Sequence, residues 1–303
     1  MGMLRMEGVR FCRDNRRQKS QSTDVTDVLL SAANINVTEG EVRVIVGEGG
    51  SGKSSLIKIL TGFAKPTAGR VKLMGRDLER LRASSLRRLR RRVAIIEELP
   101  THLDDQSALS NVALALEIDG LSSELIHTRC AEALVTVGLG GRMEVRADRL
   151  SRSERLWLAL ARAIARRPSV VLADEPWRDL DELGRDRFCD LMDSLAANGA
   201  ACLVTTGDHH VVELAELWNW SVSELRDGQI VPFHELSTLR RHEATHAVLL
   251  PSDPPSAPPS APVSDDSFAG VFSFPTPAPL PVSVHREPSV PISARVGARV
   301  GVR

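Results

Sequence analysis

Hydrophobic positions in this chain alternate between short β-branched runs and segments with the three-to-four-residue spacing of amphipathic helices. The short runs predict buried strands at 29–37, 41–46, 69–75, 93–96, 170–173 and 200–205. Helical spacing predicts helices at 55–62, 80–92, 151–166 and 182–197, and a helical region over 107–141. We expect residues 1–46 to form short strands around a polar loop at 13–26, and residues 222–231 to form a closing hairpin. The alternation predicts an α/β core with a helical insertion.

The pattern stops near residue 250, where the composition changes. Twelve of the 17 prolines lie from Pro251 onward, mixed with Ser, Ala and Val. Such a segment buries too little apolar surface to offset chain entropy. We therefore predict a folded domain over residues 1–248 and a disordered Pro/Ala/Ser-rich tail over 249–303.

Charge and cysteine content narrow the class of protein. The 39 basic and 39 acidic residues balance, which gives no global attraction to nucleic acid. Arginines over 80–92 are compatible with a patch that binds nucleic acid or an anionic membrane, but the absence of interleaved aromatic residues favours a solvated helix face. The four cysteines form no C-x-x-C pair, and no long apolar stretch is present. We expect a protein of the reducing cytoplasm without a membrane span of its own.

A glycine-rich loop follows the strand at 41–46. It fits G-x-x-x-x-G-K-[ST] and consists of Gly47, Glu48, Gly49, Gly50, Ser51, Gly52, Lys53 and Ser54, with Ser55 next in the following helix. Strand, loop and helix in this order let backbone N–H groups and the helix N-terminus face phosphate oxygens. Lys53 is predicted to reach the β- and γ-phosphates, and the Ser54 hydroxyl to ligate Mg²⁺. The alternative, a glycine-rich turn with a chance lysine, does not account for the flanking elements.

A second part of the predicted site follows the apolar run at 170–173. Asp174 and Glu175 end this strand. In a phosphate-loop site, the first acid holds Mg²⁺ through water, and the second can orient the attacking water. The pattern therefore predicts binding of ATP with Mg²⁺.

The order of these motifs resembles the ATP-binding-cassette (ABC) ATPase domain over roughly residues 4–240. The order is phosphate loop, strand with acidic residues, helical insert, Leu150-Ser151-Arg152-Ser153-Glu154, strand with Asp-Glu-Pro, and Leu180-Asp181. Similarity to the cell-division and lipoprotein-release branch (FtsE-like) is greatest in three stretches, at 86–93, at 111–114, and at 172–176 with Leu180-Asp181.

The resemblance implies a mostly parallel core sheet, an N-terminal antiparallel β part and a helical subdomain at about 99–166. It makes Glu175 the general base and Asp181 the acid of the dimer loop, with Lys53 catalytic. It implies head-to-tail pairs, homodimeric or heterodimeric, in which ATP lies between the phosphate loop and the partner's signature segment, including Ser151 and Arg152. It also implies a separate transmembrane subunit at the inner face of the cell membrane.

Three positions depart from the family pattern, and the adenine-stacking aromatic residue has a single candidate. Arg152 stands where the signature has glycine, which costs about 1–2 kcal/mol if the backbone there needs positive φ, or brings a compensating positive charge. Glu98 replaces the usual glutamine; it can still ligate Mg²⁺ but cannot donate a hydrogen bond. Gly207 replaces the switch histidine, whose role is either lost, as we favour, or taken by His209. Phe11 is the candidate adenine-stacking residue, or else a buried strand residue.

Three functions follow from these patterns. The first is an ATPase subunit that drives or gates a membrane partner, with hydrolysis weakened at the altered positions. The second is a non-hydrolytic scaffold that dimerises on ATP. The third, a DNA-repair ATPase, is disfavoured because residues 99–149 are too short for long heptad arms.

Overall fold

The computed structural model describes residues 2–13 and 27–233. Its N-terminal part is an antiparallel sheet of four strands, β1 (Gly2–Arg13), β2 (Asp27–Thr38), β4 (Ala68–Leu73) and β5 (Arg76–Asp77). Their order in the sheet is β2-β1-β4-β5. The pairing of β1 with β2 contains register shifts, so the two long strands are irregular rather than a uniform ladder.

A second sheet of six strands forms the centre of the domain. The strands are β3 (Val42–Val46), β6 (Val93–Ile96), β7 (Val170–Asp174), β8 (Ala201–Thr206), β9 (Ser221–Arg226) and β10 (Gln229–Pro232). Their order is β10-β9-β3-β8-β7-β6, and only the β10–β9 pair is antiparallel. The parallel arrangement brings the carboxyl ends of five strands to one edge.

Seven α-helices accompany the sheets in the described part of the chain. They are α1 (Lys53–Leu60), α2 (Ala83–Arg90), α3 (Ala108–Ile118), α4 (Ser123–Thr136), α5 (Arg152–Ile164), α6 (Glu182–Ala197) and α7 (Val211–Leu217). Short 3₁₀ turns occur at Leu78–Arg80, Gly140–Arg142 and Ala147–Arg149. Helices α3, α4 and α5 pack on one another and form the predicted helical part.

Both faces of the parallel sheet are covered. On β7, Val171 and Ala173 join a core with the helical part and α6, while Leu172 joins a core with α1 and the antiparallel sheet. The same alternation holds on β3 and β8. Strands buried on both faces need continuous apolar runs, and such runs are visible in the sequence.

The structure confirms the predicted α/β core, the helical part and the closing hairpin. It corrects three expectations within the described ranges: β1 and β2 have 12 residues each rather than being short, α2 has eight residues rather than spanning 80–92, and α1 begins two residues earlier. The polar loop, apart from its first residue, and the tail at 249–303 lie outside the described residues. None of the described helices is long and apolar enough to cross a membrane.

Candidate active site

The predicted site residues lie where the parallel strands end. In the strand register, Val46 of β3 is opposite Thr206 of β8, and Asp174 of β7 is opposite Thr205. The phosphate loop after β3, the acid pair at the end of β7 and the segment after β8 therefore start at the same edge of the sheet. Residues that are far apart in sequence are brought together there.

The phosphate loop has backbone conformations that require glycine. Gly50 has φ 82° and Gly52 has φ 109°. A Cβ atom on Gly52 would lie 3.1 Å from the carbonyl oxygen of Leu29, and one on Gly47 only 2.7 Å from Ser51 Oγ. These positions cannot carry a side chain without movement of the loop.

Lys53 and Ser51 face the interior of this loop. The Lys53 side chain is only 7% exposed, and its Nζ donates to the carbonyl oxygens of Gly47 (2.6 Å) and Glu48 (3.0 Å). Ser51 Oγ is buried and has no hydrogen-bond partner among the described residues. A buried hydroxyl without a partner beside a buried ammonium group fits a loop built to take an anion.

The two residues of the acid pair, Asp174 and Glu175, differ in their hydrogen bonding and backbone conformation. Asp174 is buried, and its carboxylate accepts a 2.6 Å hydrogen bond from Thr205 Oγ1. Glu175 has a left-handed backbone, φ 50°, which is uncommon for a residue with a side chain.

The Glu175 carboxylate faces the phosphate loop. Its Oε1 lies 3.3 Å from Lys53 Nζ, and its Oε2 accepts from the Gly207 backbone N–H at 2.9 Å. Thr206 Oγ1 donates to Oε2 at 3.3 Å. The predicted lysine and the predicted base are therefore in direct contact.

Three predicted metal ligands line one cavity. Ser54, Glu98 and Asp174 border a space of about 280 Å³. All three offer oxygen atoms, the ligand type that Mg²⁺ prefers. Residues 2–13 and 27–233 hold no cluster of three Asp, Glu, His or Cys side chains that could bind a metal unaided. These residues fit a magnesium ion whose other ligands are phosphate and water oxygens.

Two of the positions that depart from the family pattern, Glu98 and Arg152, are linked by ion pairs to the segment after Glu175. Glu98 is hydrogen-bonded to Arg178, and Arg152 Nε lies 2.9 Å from Asp179 Oδ1. Glu98, Arg152, Glu175 and Asp179 all border a second cavity of about 450 Å³. Within one chain, the start of the signature segment thus lies beside the acid pair and not at the phosphate loop.

Ser151 and Asp181 both cap helices. Ser151 caps α5 and forms the two reciprocal bonds of a capping box with Glu154. The backbone N–H of Ser151 holds the pKa of Glu154 below its usual range. Asp181 caps α6 by accepting from the Gly184 N–H at 2.8 Å. The dimer-loop role of Asp181 stays a prediction beside this structural one.

Phe11 is not among the residues that line the cavity beside the phosphate loop. It is partly buried and packs on the core beneath the antiparallel sheet, where it pairs with Leu30. The cavity of about 480 Å³ beside Gly49 to Ser51 is instead lined by Val28, which is half exposed, and Leu29. Sequence reasoning missed Val28 because no motif marks an aliphatic residue on an irregular strand.

Gly207 occupies the position next to Glu175. A Cβ atom there would lie 3.4 Å from Glu175 Oε1 and 3.7 Å from Lys53 Nζ. His209 packs its ring against Phe233, with centroids 6.4 Å apart. Of the two interpretations, these contacts favour loss of the switch histidine over its replacement by His209.

His102 was not singled out from the sequence. Its ring lines the 450 Å³ cavity, and both ring nitrogens are buried without a hydrogen-bond partner in the described part of the chain. Burial, followed by the charges of Arg162 and Arg155, lowers the pKa of His102 to about 4. The residue is therefore neutral at pH 7, and only its three-dimensional surroundings reveal it.

Comparison with known proteins identifies relatives of this site. The model of a family described as "ABC transporter" matches residues 30–178. The cell division ATP-binding protein FtsE of Mycobacterium tuberculosis is 35% identical over 185 residues, which cover 61% of this chain and 80% of FtsE. The methionine import ATP-binding protein MetN of Geobacillus kaustophilus is 34% identical over 193 residues, 63% of this chain and 56% of MetN.

Solved structures with the same fold include the ATP-binding cassette MJ0796. The dimeric post-hydrolysis structure of MJ0796 bound to ADP and Pi superposes with a TM-score of 0.66 at 26% identity, covering 75% of this chain and 96% of that one. The protein cbiO1 of Clostridium perfringens, part of the ABC transporter complex cbiONQ, has a TM-score of 0.66 at 22% identity, with 82% and 94% coverage. The likeness to cbiO1 concerns the fold alone.

Proposed function

The chain belongs to the ABC transporter family of ATP-binding proteins, and we propose that it is the ATP-binding subunit of a complex with a separate transmembrane partner. The family assignment makes it an ABC-type ATPase. The observation that carries the proposal is the contact between Lys53 Nζ and Glu175 Oε1, 3.3 Å apart at the edge of the parallel sheet. This contact places a cation for phosphate beside a carboxylate that can take a proton from water.

We assign ATP binding to the loop from Gly47 to Ser54 together with Ser55. The glycine conformations keep the backbone N–H groups free of side-chain obstruction, and Lys53 is already directed inward by two carbonyl oxygens. Anionic oxygens would replace these carbonyls and the Glu175 carboxylate as partners of the ammonium group, and would satisfy Ser51 Oγ. Val28 and Leu29 offer an apolar surface for the base on the same side of the loop.

Ser54, Asp174 and Glu98 would hold Mg²⁺, which neutralises phosphate charge when bound. Glu175 would act as general base, with Gly207 N–H and Thr206 Oγ1 fixing its orientation. The ammonium group of Lys53 contacts the Glu175 carboxylate, so each charge is partly balanced by the other.

We propose that hydrolysis is weakened in this chain. A side chain at position 207 would lie close to both Glu175 and Lys53, but Gly207 provides no donor beyond its backbone. Glu98 and Arg152 are engaged by Arg178 and Asp179. Removing one positioned polar group typically costs about 10²–10³ in rate.

The partner assignments extend the likeness to FtsE and MetN. We propose a head-to-tail homodimer or heterodimer of such domains, in which Ser151 and Arg152 of one protomer face the nucleotide of the other and Asp181 lies at the dimer loop. A membrane subunit would hold the pair at the inner face of the cell membrane. The FtsE-like stretches favour a role related to cell division over import.

A second candidate is an ATP-gated scaffold that dimerises without turnover. The ion pairs Arg152–Asp179 and Arg178–Glu98 favour it, because they hold both altered segments against the strand end that carries Glu175. A scaffold needs the phosphate loop and the acid pair for binding, but not a competent base.

Turnover of ATP by the purified full chain distinguishes the two candidates. The comparison is wild type against Glu175→Gln, with Glu213→Gln on the exposed face of α7 as a matched control. An ATPase loses about 10²–10⁴-fold in the Glu175 variant and nothing in the control. A scaffold binds ATP with no turnover in any of the three proteins. Equal, measurable rates in wild type and Glu175→Gln would contradict the role of Glu175.

A further inference from the structure

The cavity beside the phosphate loop contains one arginine that the proposed function leaves unused. This is the cavity of about 480 Å³ bordered by residues 48–51 of the loop and by Val28 and Leu29 of β2. Its remaining wall consists of residues 224–228, the end of β9 and the turn that follows. Arg226, the last residue of β9, is the only cationic residue among the described residues that line this cavity.

Strand pairing places Arg226 beside the start of the phosphate loop. In the parallel pair of β3 and β9, Glu224 is opposite Val46, the residue directly before the loop. Arg226 lies two residues further along β9, in the direction in which the loop leaves β3. The two segments are close, because a Cβ atom on Gly47 would lie 3.0 Å from the carbonyl oxygen of Leu225. Arg226 therefore belongs to the same edge of the sheet as Lys53.

The turn after Arg226 is fixed to β2, the strand that carries Val28. The backbone N–H of Ser31 donates to the carbonyl oxygen of Gly228 at 2.8 Å, and Ser31 Oγ donates to that of Asp227 at 3.1 Å. Gly228 has φ 72°, and a Cβ atom on it would lie 2.8 Å from the Ser31 nitrogen. This close approach of two backbones holds the Arg226 and Val28 walls of the cavity at a set separation.

The guanidinium group of Arg226 is anchored by a buried carboxylate. Glu224 and Arg226 are two residues apart on one strand and so project from the same face. The Glu224 side chain is only 5% exposed, and its Oε2 lies 3.6 Å from Arg226 Nη1, whereas the Arg226 side chain is 46% exposed. A carboxylate pairs with the edge of a guanidinium group, and this pair does not occupy the two flat faces of the group.

A nucleotide base requires a flat or apolar surface for its π faces. Proteins cover these faces with aromatic rings or with the plane of an arginine. No aromatic side chain lines this cavity among the described residues, and Phe11 packs elsewhere on the core. The surfaces that the cavity offers are the guanidinium group of Arg226 and the half-exposed side chain of Val28.

We propose that Arg226 stacks its guanidinium group on the base of the bound nucleotide and takes the part that an aromatic residue would otherwise play. The inference rests on the proposed function, because it assigns a base-binding residue to the same ATP site. A contact of Arg226 with phosphate is the alternative. It is disfavoured because Glu224 already balances part of the charge of Arg226, while Lys53 and the loop serve the phosphates.

Isothermal titration calorimetry on the full chain separates the two contacts. Mg-ATP is compared with Mg-tripolyphosphate, which has three linked phosphates but neither base nor ribose. The proteins are wild type, Arg226→Ala and Arg226→Phe, with Arg76→Ala as the matched control. Arg76 is an exposed arginine of β5 and does not line the cavity. The Phe variant distinguishes stacking from charge, because a phenyl ring can stack on a base and carries no charge.

We expect Arg226→Ala to bind Mg-ATP about fivefold more weakly than wild type, the usual scale of a contact between a cation and a π system. Its affinity for Mg-tripolyphosphate should equal that of wild type, which also shows that the phosphate loop is intact. Arg226→Phe should regain Mg-ATP affinity to within about twofold of wild type. Arg76→Ala should match wild type with both ligands.

Three results would overturn the assignment of Arg226. They are an unchanged Mg-ATP affinity in Arg226→Ala, an equal loss for Mg-ATP and Mg-tripolyphosphate, which indicates a phosphate contact, and a loss that Arg226→Phe does not restore. In each of them wild type still binds Mg-ATP, so the proposed function stands. Absence of heat with both ligands in wild type refutes the proposed function itself.

Discussion

Gly207 lies where a side chain would meet both halves of the site. A Cβ atom on this residue would lie 3.4 Å from Glu175 Oε1 and 3.5 Å from the carbonyl oxygen of Gly47, which are ordinary contact distances. Its φ is outside the left-handed region, so a larger residue meets no backbone strain there. The position can therefore accept the histidine that the family pattern has.

Introducing that residue tests whether its loss weakens cleavage. We expect Gly207→His to raise ATP turnover by about tenfold or more, because a positioned donor beside the base stabilises the transition state. The measurement is steady-state phosphate release at saturating Mg-ATP. Gly141→His, at an open position remote from the site, is the control and should leave the rate unchanged. An unchanged rate in a Gly207→His protein that still binds ATP would refute this explanation.

His102 makes stability depend on pH. Its pKa of about 4 in the folded state lies below the ordinary value of 6.5, so the unfolded chain binds more protons between these values. The free energy of unfolding should therefore rise with pH from about 4 to about 6.5, and the contribution of His102 is lost on acidification.

A variant isolates this effect from the titration of carboxylates. Between pH 7 and pH 5, wild type should lose about 1 kcal/mol more than His102→Gln, after allowance for solvent screening of a partly exposed ring. Urea unfolding of wild type and His102→Gln at the two pH values measures the loss of unfolding free energy in each protein. Equal losses in the two proteins would show that His102 titrates normally in the folded state.

At the scale of elements, α5 begins at a capping box that also starts the signature segment. Ser151 Oγ accepts from the Glu154 N–H, and the Glu154 carboxylate accepts from the Ser151 N–H at 2.9 Å. The lowered pKa of Glu154 means that this bond stabilises the fold at neutral pH and is lost as pH falls through the folded pKa.

Removing the cap should destabilise the domain measurably. Ser151→Ala is expected to lower the free energy of unfolding by about 1 kcal/mol at pH 7, the usual cost of a lost N-cap. Chemical denaturation followed by circular dichroism gives the value. Ser153→Ala, in the first turn of the helix, keeps the Ser151–Glu154 bonds and should cost less. A Ser151→Ala protein as stable as wild type would show that the box carries no stability.

Some elements are predictable from the sequence because their physical demands are local. The strands β7 and β8 are buried on both faces and contain long apolar runs, and the β9–β10 hairpin turns at Asp227 and Gly228, both at positive φ. Helix α7 was missed because it is a seven-residue element behind a polar His209-His210 start. Helix α2 was overextended because Leu81 and Arg82 are helix formers held in extended conformation.

The candidate site also has parts that could be predicted from the sequence and parts that could not. Its loop and acid pair were predictable because each is a contiguous motif whose chemistry fixes its residue types. The Arg152–Asp179 and Arg178–Glu98 pairs, the burial of His102 and the exposure of Val28 were not, since each depends on segments that meet only after folding. No local pattern distinguishes an arginine in such a pair from one in solvent.

At the scale of the whole molecule, the parallel sheet explains why the site exists at all. Two cores, one on each face, fix β3, β7 and β8 side by side. Their carboxyl ends can then hold Lys53, Asp174 and Glu175 at one edge without help from side chains further away. Nucleotide binding should therefore depend on this edge and not on the charged surfaces around it.

Isothermal titration of Mg-ATP into the full chain tests this claim most directly. Wild type should bind with a dissociation constant between about 1 µM and 1 mM, the usual range of substrate affinities for enzymes. Lys53→Ala should weaken binding at least about tenfold through loss of a charge-assisted phosphate contact. Lys65→Ala, exposed after the same helix, should bind as wild type does. No heat with wild type, or equal affinities in wild type and a folded Lys53→Ala protein, would contradict the account.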